Sequence, residues 1–223
     1  MKTLTGIVAV FKKDIRSELR TRYAINALLM FVVTSVATIL FALHDDHVSS
    51  EILSGMFWVV IFFTAMAGLS RIFVSEEERG TAVTLQLIAS STSVYFGKLL
   101  FNCLLTFTLS LATTIFYLLA FPAFVIQSAG IFSATVILGS VCFAAAATII
   151  AAIVAKAQAK GTLYTVLSFP ILAPLMLTAI KATALAIDGE AFYTAVGQLQ
   201  IMIGYLLSVV GISSLLFDYV WKD

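Results

Sequence analysis

Charge is what this sequence has least of. Only 11% of its residues are Asp, Glu, Lys or Arg and 61% are hydrophobic, whereas soluble domains carry about 25% charged residues. With a mean hydropathy of +1.07, a soluble domain is excluded and an integral membrane protein is what remains. The net charge of +1 identifies no partner. Cysteine is nearly absent as well. Cys103 and Cys142 both fall in apolar runs, and no CxxC or CxxCH occurs, which excludes a redox pair and covalent c-type haem attachment. Both read as small buried hydrophobes. No GxxxxGK[ST] is present, because Gly97-Lys98 is followed by Leu99. If nucleotide energy is used, another polypeptide binds the nucleotide. No Asp, Glu, Lys or Arg lies near the middle of an apolar run, which counts against a proton-coupled carrier. No acid–base pair or Ser–His constellation supports an intramembrane hydrolase either. The N-terminus is charged and amphipathic, without the short apolar core and cleavage site of a signal peptide.

What is there is a succession of long apolar runs. A hydrocarbon core of about 30 Å takes about 20 helical residues. The runs predict an all-α membrane protein with six transmembrane helices, at 23–43, 52–74, 99–121, 128–155, 161–180 and 194–217, the last within the apolar stretch Ala191–Phe217. The long uncharged run Leu99–Ala155 is divided at Phe121-Pro122. The whole chain, 1–223, reads as one permease domain. Lysine and arginine set its orientation. Twelve of the thirteen fall before the first span, around the 75–98 connection, in the fourth connection or in the tail, and only Lys181 falls on the other side. Both termini and the 75–98 stretch are therefore expected in the cytoplasm, and an even number of spans agrees.

Residues 1–22 precede the first span. Val8, Phe11, Ile15 and Leu19 recur at helical spacing, with Lys12, Lys13, Arg16 and Arg20 on another face. An apolar stripe beside a basic face predicts an interfacial helix on anionic lipid. Glu18 and Arg22 form a favourable i,i+4 pair.

The most polar connection is Glu76–Lys98, between the second and third spans. It carries Glu76, Glu77, Glu78, Arg79, Gly80 and Thr81, then Leu85, Leu87 and Ile88. A short helix is predicted over Ala82–Ala89, although Val83, Leu85 and Leu87 alternate as a strand would. Long connections with their own character are often functional. The other reading is a solvated loop whose acids offset nearby basic residues. Pro170 and Pro174 lie inside the fifth span. Each removes a donor and is expected to kink the helix, which serves either a moving element or plain structure. His44 and His47 stand three apart at the outer mouth of the first span. They could contact haem or a metal, or sit in a solvated loop.

The chain resembles the CcmB family, the membrane subunit of the haem-exporter ABC transporter of cytochrome c maturation, over nearly its full length. The residues that carry the resemblance are KKDIRSELRTRYAINALLMF, FFTAMAGLSRIFVSEEERGT, YFGKLL and AKAQAKGTLYTVLSFPILAP. The ERGT…GK element alone is generic to ABC-2-type permeases. The resemblance implies a six-helix ABC-2-type bundle in the bacterial inner membrane, non-catalytic itself. Two copies would pair with two copies of a cytoplasmic ATPase that binds ATP. Residues 76–91 would include the coupling segment, and the N-terminal helix would connect at the membrane surface. A haem-handling membrane protein and a small membrane peptide would be further partners, besides membrane lipids, and no nucleic acid is expected. No cofactor is bound directly. Haem would be the transported or handled ligand, or ATP would drive release of a haem-loaded chaperone, and the lack of a buried haem ligand leans towards conformational work. Related sequences commonly have a Ser-Pro pair after the coupling segment, where this chain has Ser90-Ser91-Thr92. The alternatives are an ABC-2-type permease for a lipid, polyol or drug, and a membrane scaffold with no ATPase.

Overall fold

The computed structural model describes residues 2–21, 23–43, 48–155 and 160–222. Among these residues every regular element is helical. The helices are α1 (Lys2–Thr21), α2 (Tyr23–Ala42), α3 (Ser50–Leu69), α4 (Arg71–Glu78), α5 (Ala82–Ile88), α6 (Ser91–Ala120), α7 (Ala129–Ala155), α8 (Lys160–Ile187) and α9 (Val196–Lys222). A single 3-10 turn, Phe192–Ala195, leads into α9. Six stretches are long and apolar enough to cross a membrane, a length requirement that an isolated α5 or α4 does not meet.

α7 is the central helix. It is apolar on all sides, as a membrane-spanning or core helix is. In its most apolar window 72% of the residues are buried, against 17% for α2 and for the last helix. Its middle is the run Phe143–Ala147, where four consecutive alanines let α3, α6, α8 and α9 approach closely. Polar side chains join these helices across the interior. Asn102 Nδ2 donates to Thr148 Oγ1 at 2.7 Å, Ser140 Oγ to Ser110 Oγ at 3.0 Å, and Trp58 Nε1 to Thr183 Oγ1 at 2.8 Å.

At the end of the bundle away from α5, aromatic rings fill the core. Phe57 contacts Trp58, Tyr117, Phe124 and Phe132 with ring centroids 5.3–5.9 Å apart. Trp58 stacks on Phe143 at 5.9 Å. It lies so close to Gly139 that a Cβ there would stand 2.3 Å from the indole. The connection between α6 and α7 is tied to the end of α8: the N–H groups of Gln127 and Ser128 both donate to the Ala186 carbonyl. α8 then ends at Gly189, whose φ of +77° is a left-handed conformation that glycine adopts without strain.

Several helix ends depart from the sequence-based reading. The second apolar run is interrupted at Ser70, which separates α3 from α4, instead of continuing to 74. α6 begins at Ser91 rather than 99, because Ser90 caps it with its Oγ on the Ser93 N–H. α8 runs through Lys181 to Ile187 and contains both Pro170 and Pro174. Tyr205 of α9 donates its hydroxyl to the Ile171 carbonyl between them at 3.1 Å.

Candidate functional site

The polar end of the molecule is built where α1, α4, α5 and the start of α6 meet. α1 reaches this site by packing on α6 through small residues. A Cβ on Gly97 would lie 2.7 Å from Val10 and 3.0 Å from the Ile7 carbonyl, and one on Gly6 would lie 2.7 Å from Ser93. Ser93 Oγ also donates to the Thr3 carbonyl. The face of α1 turned inward is therefore Gly6, Val10 and Asp14. The stripe read from the sequence lies beside this face: Val8 and Leu19 are exposed, as is Leu4, while Phe11 and Ile15 are half-buried. Lys12, Arg16 and Arg20 are exposed on a separate sector.

Two helical turns inside α6, Lys98 is fully buried. Its ammonium donates to the Ile72 carbonyl at 2.9 Å and to Glu76 Oε1 at 3.2 Å, and lies 3.4 Å from Asp14 Oδ2. It also stands 4.9 Å from the centre of the Phe73 ring, within cation–π range. Lys13 completes the cluster by bonding Glu76 and by pairing with Asp14 at 3.1 Å. Lys98, Asp14 and Glu76 are buried, and half-open Lys13 caps them from the solvent side. A buried charge left unpaired is very costly, and a paired one is tolerated. Burial works to lower the Lys13 pKa, but the charges of Asp14 and Glu76 and the bonds to them outweigh it, and the net shift is upward.

Glu76 is also the anchor of the turn into α5. The Gly80 N–H bonds the Glu77 carbonyl at 3.1 Å, and the Thr81 N–H bonds the Glu76 carbonyl at 2.9 Å. That pairing, with Gly80 at φ +66°, is a Schellman cap. Thr81 Oγ1 adds a bond to Glu76 Oε2 at 2.6 Å. The direction in which α5 leaves the bundle is thus set by the carboxylate that holds Lys98.

α5 itself, Ala82–Ile88, presents two sides. Ala82 and Leu85 are buried, and Gln86 donates to the Trp221 carbonyl at the end of α9. Val83, Leu87 and Ile88 point outward with relative exposures of 64%, 82% and 76%. Of the residues the sequence assigns to coupling, Glu76 and Leu85 are therefore turned inward and no partner can touch them directly. Glu77 is half-buried, and Glu78, Arg79, Gly80, Thr81, Leu87 and Ile88 are exposed. Arg79 Nη1 donates to Ser17 of α1 at 3.3 Å. Ser91 is the first helical position of α6, where the missing N–H of a proline would cost nothing. The Ser-Ser pair thus occupies the geometry that a Ser-Pro pair would.

Sequence reading missed Asp14 and Lys98 as site residues. The signal for Lys98 was its placement after Val94-Tyr95-Phe96 at the head of an uncharged apolar run. The signal for Asp14 was its helical register with Val10 and not with the basic face. His44 and His47 lie outside the described residues.

An all-helical bundle with six apolar spans and a short, apolar-tipped helix beside them defines a multi-pass membrane protein. The chain belongs to the CcmB protein family, whose model matches residues 5–218. CcmB proteins are permease subunits of ABC-type haem exporters, and this chain is such a membrane subunit, with an ATPase partner implied by its family. No curated protein matches it.

Proposed function

We propose that this chain is the membrane half of an ATP-driven complex of cytochrome c biogenesis, and that α5 is where the ATPase docks. The observation that carries the reading is the outward face of α5. Three adjacent apolar side chains project from a helix of seven residues, too short to cross a membrane and braced from behind by Leu85 and Gln86. Exposed apolar patches of this kind mark interaction sites. The lysine and arginine distribution supports a cytoplasmic position for this end and for both termini in the inner membrane.

In this mechanism ATP binding draws two ATPase subunits together and displaces α5. The Schellman turn passes the displacement to Glu76. Glu76 grips Lys98 of α6 and Lys13 of α1, so α1, α4 and the head of α6 move as one piece. α8, with Pro170 and Pro174, supplies the compliant side of the bundle. Two copies of this chain and two of the ATPase make the core of the complex, joined by a haem-handling membrane protein and a small membrane peptide. The motion serves haem export or release of a haem-loaded chaperone. A lever of this kind drives either, with ATP bound on the partner and no catalytic group here. Lys12, Arg16 and Arg20 keep α1 on the anionic membrane surface.

Replacing Val83, Leu87 and Ile88 together by serine tests the docking. The variant should insert normally and keep its thermal stability in detergent, while co-purified ATPase and cytochrome c yield fall about tenfold or more, as loss of a central apolar contact predicts. Undiminished ATPase recovery would refute the reading.

A further inference from the structure

Beside the ion cluster, a cavity of about 400 Å³ opens between α1, α2, α3, α4 and α6. Its lining is amphiphilic. The apolar part is formed by Leu28, Phe31, Ala67, Gly68, Phe101 and Leu105. Gly68 lets α3 pack closely on α2, because a Cβ there would stand 2.9 Å from Leu28. The charged part has both signs: Arg71 and Arg79 come from α4 and its cap, and Glu18 comes from α1. Arg71 is exposed and makes no ion pair or hydrogen bond to another described residue, and among the described residues the Arg79 side chain bonds the Ser17 hydroxyl. Asp14 also lines the cavity, but Lys13 and Lys98 already neutralise it. Glu18 makes no ion pair to another described residue, and Arg22, four positions on, lies outside the described residues.

Two guanidinium groups and a carboxylate lining one cavity match neither a plain anion nor a plain cation. They match a headgroup that carries both a phosphate and an ammonium. The apolar residues that line the same cavity match an acyl chain. The geometry points to a resident-lipid site in this cavity, selective for a phosphoethanolamine headgroup. Arg71 and Arg79 take the phosphate, as arginine does wherever planar recognition of that group matters, and Glu18 accepts from the ammonium. The chain lies along Leu28 and Phe31. Basic pockets between membrane helices are ordinary lipid-headgroup sites, and Glu18 is what distinguishes this one from a site for purely anionic lipid. The occupant would bridge α1 to α4 beside the ion cluster. This inference needs only the membrane location of the chain, not the docking of an ATPase on α5.

Native mass spectrometry of the full chain in mild detergent tests it, with phosphatidylethanolamine, phosphatidylglycerol and phosphatidylcholine supplied at equal concentration. The wild type should retain the ethanolamine lipid about tenfold over the choline lipid, whose quaternary nitrogen has no N–H to donate, and over the glycerol lipid, which has no cation. That ratio is the value of one charge-assisted hydrogen bond. Arg71→Gln with Arg79→Gln should lose all three adducts alike. Glu18→Gln should keep phosphate-bearing adducts but erase the preference for ethanolamine over glycerol. Circular dichroism and a monodisperse elution profile check the fold of each variant. Should the double arginine variant not fold, Glu18→Gln decides alone. Equal retention of the three lipids by the wild type would overturn the inference. So would an unchanged preference in Glu18→Gln, or displacement of the ethanolamine lipid by added haemin.

Discussion

The two ends of the bundle are held together by different physics. At the end away from α5, Phe57, Trp58, Tyr117, Phe124 and Phe132 interlock as rings, and the α6–α7 connection is tied by backbone bonds to Ala186. At the α5 end, Lys13, Asp14, Glu76 and Lys98 interlock as charges. Ring packing is diffuse and short-ranged: it opposes any displacement a little at a time. An ion cluster in a dry site resists separation strongly, yet its members can swing together as a unit, because their mutual distances do not change. The difference suits one end to be a fixed frame and the other to be the end that is moved.

The sharpest way to break this contrast is at Lys98. Lys98→Met should destabilise the protein by about 3–5 kcal/mol, because Asp14 and Glu76 are left sharing Lys13 alone. Adding Glu76→Gln to Lys98→Met should restore most of that loss, since Asp14 and Lys13 remain paired. Unfolding titrations in mixed micelles measure both. If the single variant loses no stability, the cluster is not the clamp of this end.

A matched pair of glycines gives a smaller test. Gly97→Ala forces Val10 and the Ile7 carbonyl away, and Gly139→Ala forces the Trp58 ring away. Each should cost about 1–3 kcal/mol, the usual penalty of overpacking. Only Gly97→Ala should also lower cytochrome c yield beyond what its stability explains, because it unseats α1 from the moving end. Equal functional loss from both would erase the distinction between the ends.

The smallest effect is expected outside the cluster. Glu77→Lys with Glu78→Lys leaves every bond of the cluster in place, so stability should stay within about 0.5 kcal/mol. ATPase association should weaken by a factor that shrinks as salt is added, as exposed charges do. A large stability loss here would mean that the acidic run works as a block.

Much of the architecture was legible in the chain itself. Uninterrupted apolar runs locate six spans because lipid leaves no other way to satisfy the backbone. The helix ends were less legible, and Lys98 shows why. Reading a lone lysine as a water boundary placed the start of the third span at 99, but tertiary charges neutralise that lysine and the helix begins at Ser91. The same reasoning stopped the fifth span at 180, before Lys181, whereas α8 continues to Ile187. α1 was legible on one side. Hydrophobic period finds its exposed apolar stripe, while its packing face is made of Gly6, Val10 and Asp14, which no hydrophobic period can pick out. The outward residues of α5 were partly named in advance through Leu87 and Ile88. Leu85 and Glu76 could not be told from them, because inward and outward positions of so short a helix are fixed only by what lies behind it.

Every group that touches the Lys98 ammonium precedes it in the chain: Asp14 on α1, then Ile72, Phe73 and Glu76 on α4. When a ribosome delivers this lysine, its whole retinue has already been translated. The clamp can therefore close during synthesis, before the C-terminal half of the polypeptide exists. The α1–α4–α6 corner of the bundle is in that sense born preassembled, and the later helices are added onto it.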